Sequence, residues 1–221
     1  MNMCTMEPCG RKIGVMGGTF NPIHMGHLLL AEWAMEAAGL DQILFVPTGI
    51  PYMKGKCHVL SGEMRLQMTA LAIEDHPAFK VSGMEVERKG YTYTCDTMEQ
   101  LKEKSPKDEF YFIMGADCLY TIEKWRDPER IFGACNVIAA ARNGSSLLQM
   151  EEKCKELSDK FHGNILLLQF PAMEISSTDI RERVACGRSI RYLVPEKVRE
   201  YIISNHLYQE ENHEKCECQK N

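Results

Sequence analysis

Two strings in this chain put chemically useful residue types in a useful order. The first is Gly17-Gly18-Thr19-Phe20-Asn21-Pro22-Ile23-His24-Met25-Gly26-His27. Paired glycines let backbone N–H groups approach an anion closely, and Thr19 adds a hydroxyl donor. His24 and His27 are three residues apart, so at a helix start they share one face, and Gly26 between them is expected to leave space for a ligand. Two imidazoles there can donate N–H bonds to a crowded set of phosphate oxygens. The second string is Ile175-Ser176-Ser177-Thr178-Asp179-Ile180-Arg181. Ser176 and Asp179 fit a capping box in residue type, and capping alone would explain them. Capping does not explain three consecutive hydroxyls, or Arg181 spaced to reach back toward the same N-terminus from Ser177. Free N–H groups, hydroxyls and a fixed cation make a site for a polyanion. Two such sites suggest one long ligand, such as a triphosphate.

Neither string has the GxGxxG spacing of a dinucleotide fold or the GxxxxGK[ST] of a P-loop. Zinc is a poor fit, because no third ligand or HExxH stands near the histidines. A lone histidine at a helix start is usually structural; the whole string is what argues for chemistry.

The elements that must hold these strings follow from hydrophobic patterning. Apolar runs at 12–17, 42–47, 109–115, 136–141 and 164–170 lack polar alternation and read as buried strands. Between them, periodic segments predict helices from Met25 to a C-cap at Gly39, from Ser61 through Ile73, over Thr97–Lys104 and over 146–161. Short helices are expected around 118–124 and 128–133, and two more at 177–186 and 195–204. FKVSGMEV and YTYT (91–94) read as two extended pieces, residues 48–60 as a loop, and the charges of 84–99 as solvated surface. Strands alternating with helices predict an α/β, Rossmann-like, doubly wound parallel sheet with C-terminal helices. In such sheets ligands sit outside the carboxyl ends of the strands, where the strand order reverses, and both strings follow strands. Residues 1–11 read as a flexible leader, 12–208 as a single domain, and 209–221 as a mobile polar tail.

Composition excludes other classes. The chain has 221 residues, 44% hydrophobic and 26% charged, with net charge −5, which is too apolar for disorder and not basic enough for general nucleic-acid binding. No apolar run reaches the roughly 18 residues needed to span a bilayer, and the N-terminus lacks a signal-peptide pattern. Most of the ten cysteines, with Cys57, Cys95, Cys118, Cys135, Cys154 and Cys186 scattered singly, read as small apolar fillers in a reducing cytoplasm. Cys216-Glu-Cys218 with His213 lacks the paired spacing of a zinc site.

GGTFNPIHMGH resembles the (H/T)xGH signature of the nucleotidyltransferase superfamily, and ISSTDIR its second signature. Across roughly residues 12–208 the ordered motifs are similar to those of the bacterial nicotinate-nucleotide adenylyltransferases. VPTGIPYMKGK (46–56) resembles that family's proline-rich loop, with Lys54 matching its lysine and Met53 standing where a histidine is usual. YTYTCDT resembles the family's Tyr-Thr-x-Asp-Thr, and FIMGADCLYTIEKWRD its GAD followed by tryptophan. AARNG matches Ala-Arg-Pro-Gly at Arg142, with Asn143 in place of proline; FNP replaces the commoner FDP.

The resemblance implies adenylyl transfer from ATP to nicotinic acid mononucleotide, with Mg²⁺ carried mainly by phosphates and water and no protein metal site. It implies catalytic roles for His24, His27 and Thr19. ATP would be held by Gly17, Gly18, Phe20, Gly115, Asp117, Arg142, Ser177, Thr178 and Arg181. The mononucleotide would be held by Lys54, Thr94 and Trp125. Singly, Trp125 reads as core, Asp117 as a helix cap and Lys54 as solvated surface. The competing readings are an adenylyltransferase for nicotinamide mononucleotide or another phosphate acceptor, and a non-catalytic nucleotide sensor. The expected partners are the two substrates, with no nucleic acid and no membrane; the residues allow a homo-oligomer without indicating one.

Overall fold

In β1 (Lys12–Gly18) the side chains alternate between two apolar layers: Ile13 and Val15 face one, Met16 the other. That two-sided burial requires helices on both faces, and the computed structural model of the chain has them. It describes residues 10–50, 59–142, 147–171 and 173–209. β1 lies beside β2 (Gln42–Pro47) and β4 (Glu109–Gly115). Next to β2 is the short β3 (Phe79–Val81), and beyond β4 come β5 (Asn136–Arg142) and β6 (Ile165–Phe170). All pairs are parallel, in the order β3-β2-β1-β4-β5-β6. The order reverses between β1 and β4, so their carboxyl ends open the crevice where the fold predicts a ligand.

One face of the sheet carries α1 (Met25–Ala38), α2 (Gly62–Ile73), α6 (Ser177–Ala185) and α7 (Glu196–Ser204), packed over Met16, Ile43, Phe45, Ile113 and Ile138. The other carries α3 (Thr94–Lys104), α4 (Pro128–Ala134) and α5 (Leu147–Phe161), over Val15, Phe112, Val137 and Ala139. A Cβ at Gly14 would stand 2.6 Å from the Ile43 side chain and 2.9 Å from that of Ile113. Glycine there lets the isoleucines of both neighbouring strands close over β1.

Gly39 caps α1 in the left-handed conformation at φ 59°, as expected, and the Ser61 hydroxyl accepts from the Met64 N–H at the start of α2. Three expectations fail. YTYT is extended at Tyr93 and bridges to Ile50 through Tyr91, as expected, but α3 starts at Thr94 instead of Thr97. Burial of Cys95, Thr97 and Met98 on one helical face outweighs the β propensity of the run. Of FKVSGMEV only Phe79–Val81 forms a strand. The helix expected around 118–124 is two 3₁₀ turns, Ala116–Tyr120 and Ile122–Lys124. Residues 84–99 are also not all solvated: Glu85 is buried and accepts a 2.7 Å bond from the Thr97 hydroxyl, and Arg88 donates to Thr97 and Gln100.

Arg11 is tied through its main-chain N–H and its guanidinium to Asp108. Residues 1–9, the tail from 210 with Cys216 and Cys218, and Lys54, Met53 and Asn143 lie outside the described residues. Cys95, Cys135 and Cys154 are buried free thiols, and burial pushes Cys135 up to about 12, consistent with apolar filling. Among the described residues, no helix is long and apolar enough to cross a membrane.

Candidate active site

The chain leaves β1 at Gly17 and Gly18, both at the crevice. Gly17 is exposed, and so is Gly115 at the end of β4, where an added Cβ would meet nothing within 4 Å. Phe20 then adopts φ 46°, an uncommon conformation for a non-glycine residue. It turns its ring into the core against Phe45 and sets it edge-on to His27 at 5.0 Å. Any contact of Phe20 with a ligand therefore comes from its main chain. Gly18 faces the same ring, with a Cβ position 2.9 Å from Phe20 Cε1.

His24 is the N-cap of α1 and His27 its third helical residue. Their rings stack at 3.7 Å between centroids. The His24 N–H donates to His27 Nδ1 at 3.2 Å. With Nδ1 accepting, a neutral His27 ring carries its proton on Nε2, which makes Nε2–H a donor for a ligand. Gly26 does not hold room for a ligand as expected: a Cβ there would lie 3.1 Å from His24 Nδ1, so its space belongs to the His24 ring.

The second string packs directly on the first. The Ser177 hydroxyl donates to the Pro22 carbonyl at 2.9 Å, and Arg181 Nη1 donates to the Asn21 carbonyl, also at 2.9 Å. Arg181 Nη2 reaches the Thr178 hydroxyl at 3.3 Å. Ser176 caps α6 by accepting from the Asp179 N–H. Asp179 makes no capping return bond; its carboxylate pairs with Arg183 at 3.0 Å. The two turns are thus one unit, with His24, His27, Ser177, Thr178 and Arg181 brought together at helix N-termini.

On the far side of β1, Thr94 is the first residue of α3 and half-buried. Asp117 is exposed just past β4, and Arg142 is the last residue of β5. Trp125 is half-buried and edge-on to Phe112 at 6.2 Å. The segments carrying Thr94 and Trp125 are joined by charge. The Arg126 guanidinium lies over the Tyr93 ring at 4.4 Å. Arg130 on α4 pairs with Asp96 and Glu99 on α3 and with Asp127.

The sequence reading missed three residues that support this site. Arg65 is almost wholly buried and donates to four main-chain carbonyls, those of Thr19, Thr48, Gly49 and Leu60. Tyr208 donates its hydroxyl to Asn21 Oδ1 at 3.0 Å, and burial pushes that phenol well above its ordinary range. Leu60 N–H shares the same Asn21 oxygen at 3.3 Å. For Arg65 a signal existed: it opens the buried stripe 65, 68, 69, 72 and 73 of α2, an anomalous place for a cation.

A doubly wound sheet with an imidazole pair and a hydroxyl–guanidinium turn at its switch point defines a nucleotide-handling α/β protein of the (H/T)xGH kind. The family described as cytidylyltransferase-like matches residues 15–183. The protein named "Probable nicotinate-nucleotide adenylyltransferase" of Lachnoclostridium phytofermentans is 48% identical over 198 residues, 90% of this chain and 99% of the relative. One of the same name from Desulfitobacterium hafniense strain Y51 is 44% identical over 90% of this chain and 96% of its own. The solved structure of Plasmodium falciparum nicotinic acid mononucleotide adenylyltransferase complexed with NaAD shares the fold, with a TM-score of 0.74 at 20% identity, covering 90% of this chain and 97% of that one. The chain belongs to the cytidylyltransferase-like family and, within it, to the nicotinate-nucleotide adenylyltransferases.

Proposed function

We propose that the chain transfers the adenylyl group of ATP to nicotinic acid mononucleotide, giving nicotinic acid adenine dinucleotide and pyrophosphate in NAD biosynthesis. The observation that carries this reading is the direct bonding of Ser177 and Arg181 to the Asn21–Pro22 carbonyls, which makes one donor-lined cradle at the switch point. Family membership at 48% identity supports the choice of substrates.

The mononucleotide phosphate attacks the α-phosphorus of ATP, and pyrophosphate leaves. A phosphate monoester is anionic near neutral pH, so no strong base is required. The work is to bring two polyanions together and to neutralise charge on the leaving group, that is, positioning plus electrostatic stabilisation. The N–H groups from Gly17 to Phe20, with the Thr19 hydroxyl, would hold the α-phosphate. His24 and His27 would donate to triphosphate oxygens in the transition state. Thr178 and Arg181 would hold the β- and γ-phosphates, while Ser177 keeps its turn against Pro22. Asp117 would take a ribose hydroxyl, Gly115 and Arg142 would border the ATP, and Thr94, Trp125 and Lys54 would bind the mononucleotide.

Apart from Asp179, whose carboxylate is paired with Arg183, the polar residues at the two turns are donors and cations. They suit a Mg²⁺ carried on the triphosphate, with its oxygens from phosphate and water and its charge added to the neutralisation of the leaving group. We assign residues 12–208 to one catalytic unit working in the cytoplasm, a setting consistent with the thiols of Cys95, Cys118, Cys135 and Cys154, which form no disulfide.

The test is pyrophosphate release from ATP with nicotinic acid mononucleotide, compared with the nicotinamide form and with pantetheine phosphate. The acid form should give the highest kcat/KM. Preference for the amide would reassign the acceptor, and no release with any of the three would leave only a binding protein.

A further inference from the structure

We infer that Arg65 is a positioning residue that couples the ATP-side loop to the acceptor-side loop; this rests on the substrate assignment above. The argument starts from what surrounds it. Arg65 is 1% exposed, yet every hydrogen bond of its guanidinium goes to a backbone carbonyl. Nη1 donates to Thr19 at 2.7 Å, on the loop after β1. Nη2 donates to Thr48 at 2.6 Å and to Gly49 at 3.0 Å, on the loop after β2. Nε donates to Leu60 at 3.0 Å, where the chain enters α2.

A buried cation bonded only to neutral groups is expensive to desolvate, and burial does press its pKa downward. Packing alone would be served by leucine or methionine on this stripe. What arginine adds is a rigid planar fork of donors that fixes several acceptors in one plane. Here the fork ties Thr19 and Thr48, which extend the β1–β2 pairing just past Gly18 and Pro47, to Leu60, which that ladder does not reach. Two of these three stretches, at Thr48–Gly49 and at Leu60, bracket the acceptor-side loop, and the third contains Thr19 of the α-phosphate turn. The clamp leaves little slack. A Cβ at Gly49 would stand 2.2 Å from the Glu85 carbonyl, so the pinned chain runs hard against the segment leading to Thr94. Leu60 is held a second time, by Asn21 Oδ1, which also takes the Tyr208 hydroxyl.

Three of the four clamped carbonyls are on the acceptor side, so loss of the fork should fall mainly on the mononucleotide. Arg65→Lys keeps the charge and much of the stem but has a compact ammonium that cannot reach all three stretches. Steady-state kinetics would be measured well below the melting temperatures of both proteins, the wild type serving as the control for the reaction itself. In Arg65→Lys the KM for the mononucleotide should rise about tenfold or more, the scale of losing hydrogen bonds to a charged group, while the KM for ATP stays within about threefold. Equal rises in both, or a lower melting temperature with unchanged kinetics, would overturn the inference. Should the variant not fold, hydrogen exchange on the wild type replaces it. Mononucleotide alone should slow exchange in 47–50 and 59–66 together, through their shared clamp. Slowing in one segment without the other, or in neither, would also overturn it. A wild type without turnover would instead refute the substrate assignment.

Discussion

The side of the site proposed for ATP and the side proposed for the mononucleotide are held by different physics. On the ATP side the two signature turns bond to each other through main-chain carbonyls, with Ser177 on Pro22 and Arg181 on Asn21. The acceptors are neutral carbonyls, and a buried core beneath them, including Phe20 and Ile23, fixes the loop. On the proposed mononucleotide side, partly exposed charges fasten the elements: Arg130 on α4 to Asp96 and Glu99 on α3, Arg126 over Tyr93, and Glu123 beside Trp125 to Lys153 and Lys160 on α5. Such bonds are individually weak and sensitive to salt and acid. The two signature turns are thus preorganised, whereas on the proposed acceptor side Arg65 pins Thr48, Gly49 and Leu60 and only the wall carrying Thr94 and Trp125 is fastened by contacts that yield.

The largest expected effect is on the rigid side. His27→Ala should lower kcat about 10²-fold or more, the cost of one electrostatic donor, with the circular dichroism spectrum unchanged. Near-normal turnover would remove His27 from the chemistry. Arg181→Met should raise the KM for ATP about tenfold and leave the KM for the mononucleotide nearly unchanged. A larger effect on the mononucleotide would reverse the division of labour drawn here.

Trp125→Ala should weaken mononucleotide binding more than ATP binding, measured by titration calorimetry. Equal losses would make Trp125 a packing residue against Phe112. Arg130→Gln should act in the same direction but only severalfold, since its pairs are half-exposed; a change in ATP binding of the same size would mean that the two halves are not separable.

The smallest effect concerns acid. Hydrogen bonds from Lys153 and Lys160 hold the Glu123 carboxyl down to about 2, against an ordinary value of 4.5, and the bond from Arg130 lowers Glu99 in the same sense. A folded-state value below the unfolded one gives stabilisation that is present above about pH 4.5 and lost as pH falls toward 2. Hydrogen exchange followed through that window should accelerate in α3 and in residues 116–127 before it accelerates in 17–27. Glu123→Gln should flatten the fall in melting temperature over the same range. Simultaneous loosening of both halves would sink the contrast.

Much of this was legible before any coordinates. Unbroken apolar runs can only be strands buried on both faces, and their alternation with helices requires a parallel sheet with its site at the strand ends. The two signature strings are local, so residue type and spacing alone expose their chemistry. Less was legible where distant segments decide. α3 reaches back to Thr94, the last residue of the extended YTYT run, because Cys95, Thr97 and Met98 found a buried face. Gly26 looked like room for a ligand and is room for the His24 ring. Arg65 showed only as an oddity in an apolar stripe; its four acceptors come from residues 5 to 46 positions away. Tyr208 meets Asn21 across 187 residues. Periodicity and motif spacing belong to the chain itself, so they determined the fold class and the two donor-rich strings. Which carbonyl a buried donor satisfies depends on what folding brings within 3 Å, and only the tertiary structure could decide that.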